Sequence, residues 1–196
     1  MLIFPQGRRV FIKDIAHYLL PPDKATAKIA PSFASPEEPA NPTVVPEEEL
    51  AQFQFAFLIR HPRRSIPSYY RCTVPPLDKV TGFENFMPSE AGYHELRRLF
   101  DFLVESGVVA RKNAVVIDAD DMLDDPETTI REFCERVGLE FSPDMLQWSE
   151  ADTEHAVQAF EKWKGFHEDA LESSSLRPRE HGHVSFCNCI LDGVSL

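Results

Sequence analysis

An arginine-rich turn at residues 60–64 closes the apolar run of residues 53–59. The run predicts a buried strand with Arg60 at its carboxyl end, and a helix is predicted to begin near Ser65. Pro67 fits the first turn of that helix, because amide groups there lack intrahelical partners. These spare amides and the positive end of the helix dipole attract a phosphate, to which Arg60 can add a forked contact. The segment therefore predicts an anion-binding site.

The elements that must position this site follow from a second apolar run, residues 114–117. This continuous run predicts a strand covered on both faces in a parallel sheet. Asp125 is predicted to cap the next helix, with Pro126 in its first position and Gly138 at its end. Strands separated by helices indicate an α/β layered fold with parallel pairing. Ligands bind at the carboxyl ends of such strands, which is where Arg60 lies.

Three further segments complete the predicted organisation. Residues 9–13 form a short apolar strand candidate, and residues 90–106 carry leucines at helical spacing. Residues 21–46 are rich in Pro, Ala, Ser and Glu, which predicts a long surface loop or flexible insertion. The chain is thus expected to form one α/β domain over residues 1–175, followed by a flexible tail over residues 176–196.

The composition limits which functions are plausible for the 196-residue chain. Its net charge of −12 argues against nucleic acid as a partner, so the basic turn stands out against an acidic background. The four cysteines follow no disulfide framework, and no signal peptide or membrane-length apolar run is visible. We therefore expect reduced thiols, a cytoplasmic location and no membrane partner.

The chain resembles the sulfotransferases that use PAPS (3′-phosphoadenosine 5′-phosphosulfate), in particular a fungal branch with a P-loop NTPase-type fold. The resemblance rests on FLIRHPRRSIPSYYR at residues 57–71 and on the strand, acidic turn and capped helix of residues 115–141. RVFIKDIAHYL at residues 9–19 and WKGFHEDALESSS at residues 163–175 are also similar to family segments. The resemblance implies a three-layer fold with a parallel sheet. It also implies that the usual amino-terminal phosphate loop is missing here, so that the fold is shortened at its amino terminus.

The resemblance also assigns roles to individual residues. Arg60 and Ser68, eight residues apart, have the spacing of the family's 3′-phosphate-binding pair. Lys13 would stabilise the transferred sulfonate, and His17 would act as general base, although the family's histidine usually lies within two residues of the lysine. PAPS would be the donor, held by half of the usual site, and no metal is predicted.

The expected function is transfer of a sulfonate from PAPS to a hydroxyl of a small organic acceptor in secondary metabolism. The alternative is a degenerate or repurposed domain without sulfotransferase activity, acting as a binding protein or as a different biosynthetic enzyme. The shortened amino terminus leaves open whether the chain is a fragment, a shortened gene product or a natural derivative. A natural derivative would close its sheet differently, for instance as a homodimer.

Two other groups of residues have simpler interpretations. The aspartates of residues 118–125 lack the spacing and the glycine of an EF-hand, so a polar turn and helix cap explain them better. The tail holds four soft-ligand side chains whose spacing is not that of a standard zinc site, which favours a flexible tail. They are His181, His183, Cys187 and Cys189.

Overall fold

Two short parallel strands form the sheet in the part of the chain that the structure, a computed structural model, describes: residues 9–21 and 25–178. They are β1 (Ala56–Ile59) and β2 (Val115–Asp118). Their register pairs Ala56 with Val115 at one end and Ile59 with Asp118 at the other. Because the strands are parallel, the residues that follow both of them meet at one edge of the sheet.

Helices surround this sheet along the described chain. They are α1 (Glu47–Leu50), α2 (Pro62–Cys72), α3 (Asp78–Thr81), α4 (Tyr93–Glu105), α5 (Ala119–Asp124), α6 (Pro126–Val137), α7 (Glu150–Ala159) and α8 (Glu168–Leu171). Short 3₁₀ turns lie at Ala16–Tyr18, Pro31–Phe33, Pro88–Ala91, Arg111–Asn113, Pro143–Leu146 and Glu161–Trp163. None of the helices among the described residues is long and apolar enough to cross a membrane.

The main core lies between β1, α4 and the segment that contains the first 3₁₀ turn. Leu103 of α4 is fully buried, and Leu99 and Phe57 pack in the same cluster with Leu20. The rings of Phe57 and Phe100 meet edge to face, with 5.2 Å between their centroids. The helix that the leucine spacing predicts is therefore confirmed as α4, and its buried leucines pack in one cluster with Phe57 of β1.

Helix α2 begins earlier than its sequence predicts. Its first residue is Pro62, and the Nδ1 atom of His61 caps it by accepting a hydrogen bond of 3.1 Å from the Arg63 amide. The expected start near Ser65 is therefore wrong, because Pro62 supplies the fixed φ angle that a first helical position favours. Pro67 consequently lies inside the helix rather than in its first turn, and it leaves the Arg63 carbonyl without its usual helical partner.

Helix α6 has the caps that its sequence predicts. The Asp125 carboxylate accepts a hydrogen bond of 3.3 Å from the Thr128 amide, and Pro126 is the first helical residue. Gly138 ends the helix in the left-handed region, with φ of 67°. The Arg9 guanidinium donates to the carbonyl oxygens of Val137 and Gly138, where a positive charge complements the helix dipole.

The predicted strand at residues 9–13 does not form. Residues 10–15 have no regular secondary structure, and the Phe11 and Ile12 side chains are exposed. Arg9 is held at the end of α6, and no strand of the described chain runs beside residues 10–15 to pair with them. The fold is thus α/β with a small parallel sheet, while the larger three-layer sheet stays a prediction.

The two strands are also less covered than predicted. Leu58 of β1 and Val116 of β2 are 52% and 48% exposed, whereas Phe57 and Val115 are buried. The expectations of a buried strand at residues 53–59 and of a strand covered on both faces at residues 114–117 are therefore wrong. Apolar runs predict burial only when other strands or helices are present to cover them.

The predicted insertion at residues 21–46 is more packed than a surface loop. In its described part, Thr43 and Asn41 are buried, and the Thr43 hydroxyl donates to the Asn41 side chain over 2.8 Å. The Val44 amide donates to the Leu19 carbonyl over 2.9 Å, which ties the segment to the core. The flexibility of this segment stays a prediction. The candidate ligands of the tail, residues 181–189, lie outside the described residues.

Candidate anion-binding site

The parallel register brings Arg60 and the acidic turn after β2 to the same edge of the sheet. Arg60 follows Ile59 directly, and Asp118, the partner of Ile59, ends β2. Asp118 caps α5 by accepting a hydrogen bond of 2.8 Å from the Asp120 amide. That turn presents the Asp120 side chain to the end of β1.

One carboxylate lies between two guanidinium groups at this edge. Arg60 Nε is 3.9 Å from Asp120 Oδ1, and Arg64 Nε is 3.4 Å from Asp120 Oδ2. The Asp120 side chain is 16% exposed, whereas those of Arg60 and Arg64 are 40% and 48% exposed. Two positive charges therefore face one negative charge, and both guanidinium groups keep access to solvent. We call Arg60, Arg64 and Asp120 the arginine–aspartate triad.

The Nε atom of Arg60 is buried without a hydrogen-bond partner. Its distance to Asp120 is too long for a hydrogen bond. A buried donor without an acceptor costs free energy, and an oxygen-rich anion would satisfy it. The triad thus combines surplus positive charge with an unused donor.

The backbone of Arg60 is fixed from the neighbouring helix α4. The Tyr93 hydroxyl donates a hydrogen bond of 2.9 Å to the Arg60 carbonyl oxygen, and it also contacts the Ser65 hydroxyl. One turn further along α2, the Tyr69 hydroxyl donates to the Glu90 carboxylate. Burial and this bond to Glu90 raise the pKa of Tyr69 to about 12, so the phenol stays protonated at neutral pH. These contacts hold the turn between β1 and α2 in place.

Ser68 is separate from Arg60 in its contacts. It lies in the second turn of α2, half-buried, and its hydroxyl accepts a hydrogen bond of 3.5 Å from Arg71. Within the described residues no hydrogen bond joins Arg60 to Ser68, because the Arg60 side chain is directed to Asp120. A shared phosphate contact of Arg60 and Ser68 stays a prediction.

Lys13 and His17 also have different surroundings. Lys13 is exposed, whereas His17 lies in the 3₁₀ turn Ala16–Tyr18 with its Nδ1 atom buried and without a hydrogen-bond partner. The charge of Lys13 acts instead on His167: burial and then Lys13 lower the pKa of His167. The His167 ring also packs on Phe160, with 4.4 Å between their centroids. The family resemblance assigns Lys13 and His17 to one site. In the structure the positive charge of Lys13 acts on His167.

The carboxyl-terminal turn that carries His167 is held by hydrogen bonds. Glu168 accepts from the Gly165 amide over 2.6 Å and from the His167 amide over 3.0 Å. Although burial acts in the opposite direction, these bonds lower the pKa of Glu168. The Phe83 ring lies 5.2 Å from that of Phe166, so aromatic side chains also pack this segment against the residues that follow α3.

The sequence missed three contributors to the site. The sequence indicates Arg64 only as part of a basic turn and Asp120 only as part of a polar turn, and it gives no signal for Tyr93. The parallel pairing of two strands, each followed by charged residues, was the signal that could have joined Asp120 to Arg60. Among residues 9–21 and 25–178, no three His, Cys, Asp or Glu side chains are arranged to hold a metal ion.

Comparisons with known proteins found a family match over part of the chain and several similar proteins. The family described as "Sulfotransferase domain" matches residues 98–175. The sulfotransferase ppzF of Metarhizium majus is 28% identical over 172 residues, which cover 76% of this chain and 50% of that protein. The ppzF protein of Metarhizium rileyi is 27% identical over 176 residues, covering 78% of this chain and 51% of the relative.

A plant protein shares a shorter region. The branched-chain-amino-acid aminotransferase-like protein 1 of Arabidopsis thaliana is 30% identical over 131 residues, which are 66% of this chain and 21% of that protein. No solved structure matches the chain.

The family match over residues 98–175 and the two fungal relatives confirm the resemblance to sulfotransferases that the sequence indicates. The chain spans about half the length of these fungal relatives.

Proposed function

We propose that Arg60 and Arg64 bind the 3′-phosphate of PAPS, and that the protein takes part in sulfonate transfer to a hydroxyl of a small organic acceptor. The observation that carries the proposal is the arginine–aspartate triad at the carboxyl edge of β1 and β2. It concentrates positive charge in a chain whose net charge is −12. Ligands of parallel sheets bind at this edge.

The residues of the triad suit a phosphate for chemical reasons. A guanidinium group donates several hydrogen bonds in a plane, and bonds to a charged phosphate oxygen are about twice as strong as neutral ones. The buried Arg60 Nε atom supplies a donor that Asp120 does not satisfy. The capped start of α2 adds the positive end of a helix dipole next to both arginines.

Other residues have supporting roles in this proposal. Ser68 would donate its hydroxyl to the same phosphate. Lys13 would place a positive charge beside the transferred group, and His17 would accept the proton of the acceptor hydroxyl. His167 is a second candidate for that proton, because its lowered pKa keeps the imidazole neutral near pH 7. PAPS would supply the activated sulfonate.

A second function is a phosphate-binding domain without transfer activity. The exposed position of Lys13 favours it, since among the described residues no contact joins Lys13 to the triad. Sulfonate transfer would require the positive charge of Lys13 near the sulfonate, whereas phosphate binding would require only the arginines. The two functions therefore differ in their need for Lys13.

The experiment that separates these functions incubates the purified chain with sulfur-labelled PAPS and a panel of small hydroxyl compounds. Thermal unfolding with adenosine 3′,5′-bisphosphate is measured in parallel. A ligand at one hundred times its dissociation constant stabilises the folded state by about 2.7 kcal/mol. Stabilisation with label transfer that Lys13→Ala abolishes supports the transferase. Stabilisation without transfer supports the binding domain, and no stabilisation contradicts both.

A further inference from the structure

We infer that the Asp120 carboxylate is a built-in placeholder for the bound phosphate. In the free protein it occupies the position between Arg60 and Arg64, and a phosphate displaces it on binding. The inference rests on the proposed phosphate site and adds that Asp120 limits the affinity of that site. Asp120 would therefore set how much ligand the protein needs.

The geometry of the triad resembles that of a bound anion. Each carboxylate oxygen of Asp120 lies toward a different arginine, at 3.9 Å from Arg60 Nε and 3.4 Å from Arg64 Nε. Both distances exceed the 2.7–2.9 Å or so of a close charge-assisted hydrogen bond. The carboxylate thus balances the two charges without making close bonds to them. A phosphate, with more oxygens and more charge, can make closer bonds to both.

The backbone around the triad is fixed by other residues. Asp118, rather than Asp120, caps α5, and His61 caps α2. Tyr93 holds the Arg60 carbonyl. The caps of these elements and the bond to the Arg60 carbonyl therefore do not use the Asp120 carboxylate.

Partial exposure makes the ion pairs replaceable. Both arginine side chains are 40% or more exposed, and ion pairs near solvent contribute little to stability. The Arg60 Nε donor is left without a hydrogen bond in this arrangement. A phosphate therefore gains a donor that the carboxylate does not use. Replacement of the Asp120 carboxylate by a phosphate would therefore satisfy a buried donor.

The test compares Asp120→Asn with wild type by isothermal titration calorimetry, using inorganic phosphate and adenosine 3′,5′-bisphosphate as probes. The amide keeps the size of the side chain and removes its charge. We expect Asp120→Asn to bind both probes about tenfold more tightly, since one opposing charge near 4 Å is removed. Asp120→Glu keeps a carboxylate and should bind close to wild type.

Asp121→Asn is the matched control. Asp121 lies in the same first turn of α5 and is exposed. Asp121→Asn removes one negative charge, as Asp120→Asn does. We expect its effect on affinity to be much smaller than that of Asp120→Asn. An equal gain in both variants would show a general charge effect and overturn the placeholder. Weaker or unchanged binding by Asp120→Asn would show that the carboxylate orients the arginines, which also overturns it.

A measurement on the wild-type chain avoids dependence on any variant. Phosphate titration followed by NMR should move the Nε–H signals of Arg60 and Arg64 together with the carboxyl carbon signal of Asp120. Arginine shifts without an Asp120 shift overturn the placeholder. Wild-type binding without a gain in Asp120→Asn overturns the placeholder alone, whereas no binding of either probe by wild type and Asp120→Asn overturns the phosphate site as well.

Discussion

The Tyr93 hydroxyl donates a hydrogen bond of 2.9 Å to the carbonyl oxygen of Arg60. Tyr93 is the first residue of α4, and Arg60 is the first residue after β1, so this bond joins the start of one element to the end of another. Helix α4 packs on the core through Leu99 and Leu103. The same helix therefore also positions Arg60, which is proposed to bind the phosphate. A change at Tyr93 should affect both stability and binding.

Tyr93→Phe removes this hydrogen bond and keeps the ring. We expect a loss of about 1–2 kcal/mol in the free energy of unfolding, since the bonds of the hydroxyl to the Arg60 carbonyl and to the Ser65 hydroxyl are both removed. The affinity for adenosine 3′,5′-bisphosphate should fall about fivefold because Arg60 is held less firmly. Chemical denaturation and calorimetry measure the two quantities. Tyr70→Phe, at an exposed tyrosine of α2, is the control and should change neither.

Gly165→Ala should destabilise the carboxyl-terminal turn. Gly165 has a φ of +89°, and an added Cβ would lie 2.6 Å from Thr81 Cγ2. Strain and steric overlap together should cost about 2–3 kcal/mol of unfolding free energy. Gly107→Ala isolates the strain, because Gly107 has a φ of +84° and open space around it. Equal losses in both variants, measured by urea unfolding, would contradict the close packing against Thr81.

The pKa of His167 should be lower in the folded chain than its ordinary value of 6.5, because burial and Lys13 disfavour the charged imidazole. The unfolded chain then binds more protons, so stability decreases as pH falls below about 6.5 and levels off below the folded-state pKa. An NMR titration of the His167 ring measures this directly. Lys13→Ala should raise the pKa, whereas the control Lys112→Ala should not. A pKa unaffected by Lys13→Ala would contradict the proximity of Lys13 and His167.

Leu103→Ala tests the core between α4 and β1. Leu103 is fully buried, so the substitution should cost about 2–5 kcal/mol of unfolding free energy. Leu58→Ala is the comparison, because Leu58 is 52% exposed and should cost about 1 kcal/mol or less. A large loss at Leu58 in urea unfolding would show that another surface covers this strand in solution.

Helix ends that depend on neighbouring residues can be predicted from local signals in the sequence. Helix α6 begins and ends where its sequence predicts, with Asp125 as its cap, Pro126 as its first residue and Gly138 at its end. Such signals are reliable because caps act within a few residues. The start of α2 was misplaced because two prolines, Pro62 and Pro67, compete for the same signal, and His61 decides between them by capping the first.

Features that depend on distant parts of the chain were harder to predict. Residues 9–13 have the composition of a strand but no partner strand among the described residues, so their pattern alone was misleading. The sequence identified Arg60 correctly as the residue at the carboxyl end of a strand. It did not predict Asp120 or Tyr93 beside it, because both come from elements far along the chain that only the fold brings together.

The most direct test of the proposed phosphate site is isothermal titration calorimetry of the purified chain with adenosine 3′,5′-bisphosphate, repeated on Arg60→Ala and Arg111→Ala. Arg111 is exposed and precedes β2, so it lies at the opposite edge of the sheet and serves as the charge-matched control. The proposal predicts saturable binding that Arg60→Ala weakens at least tenfold and that Arg111→Ala leaves unchanged. Absence of binding to the wild-type chain, or equal weakening in both variants, would contradict it.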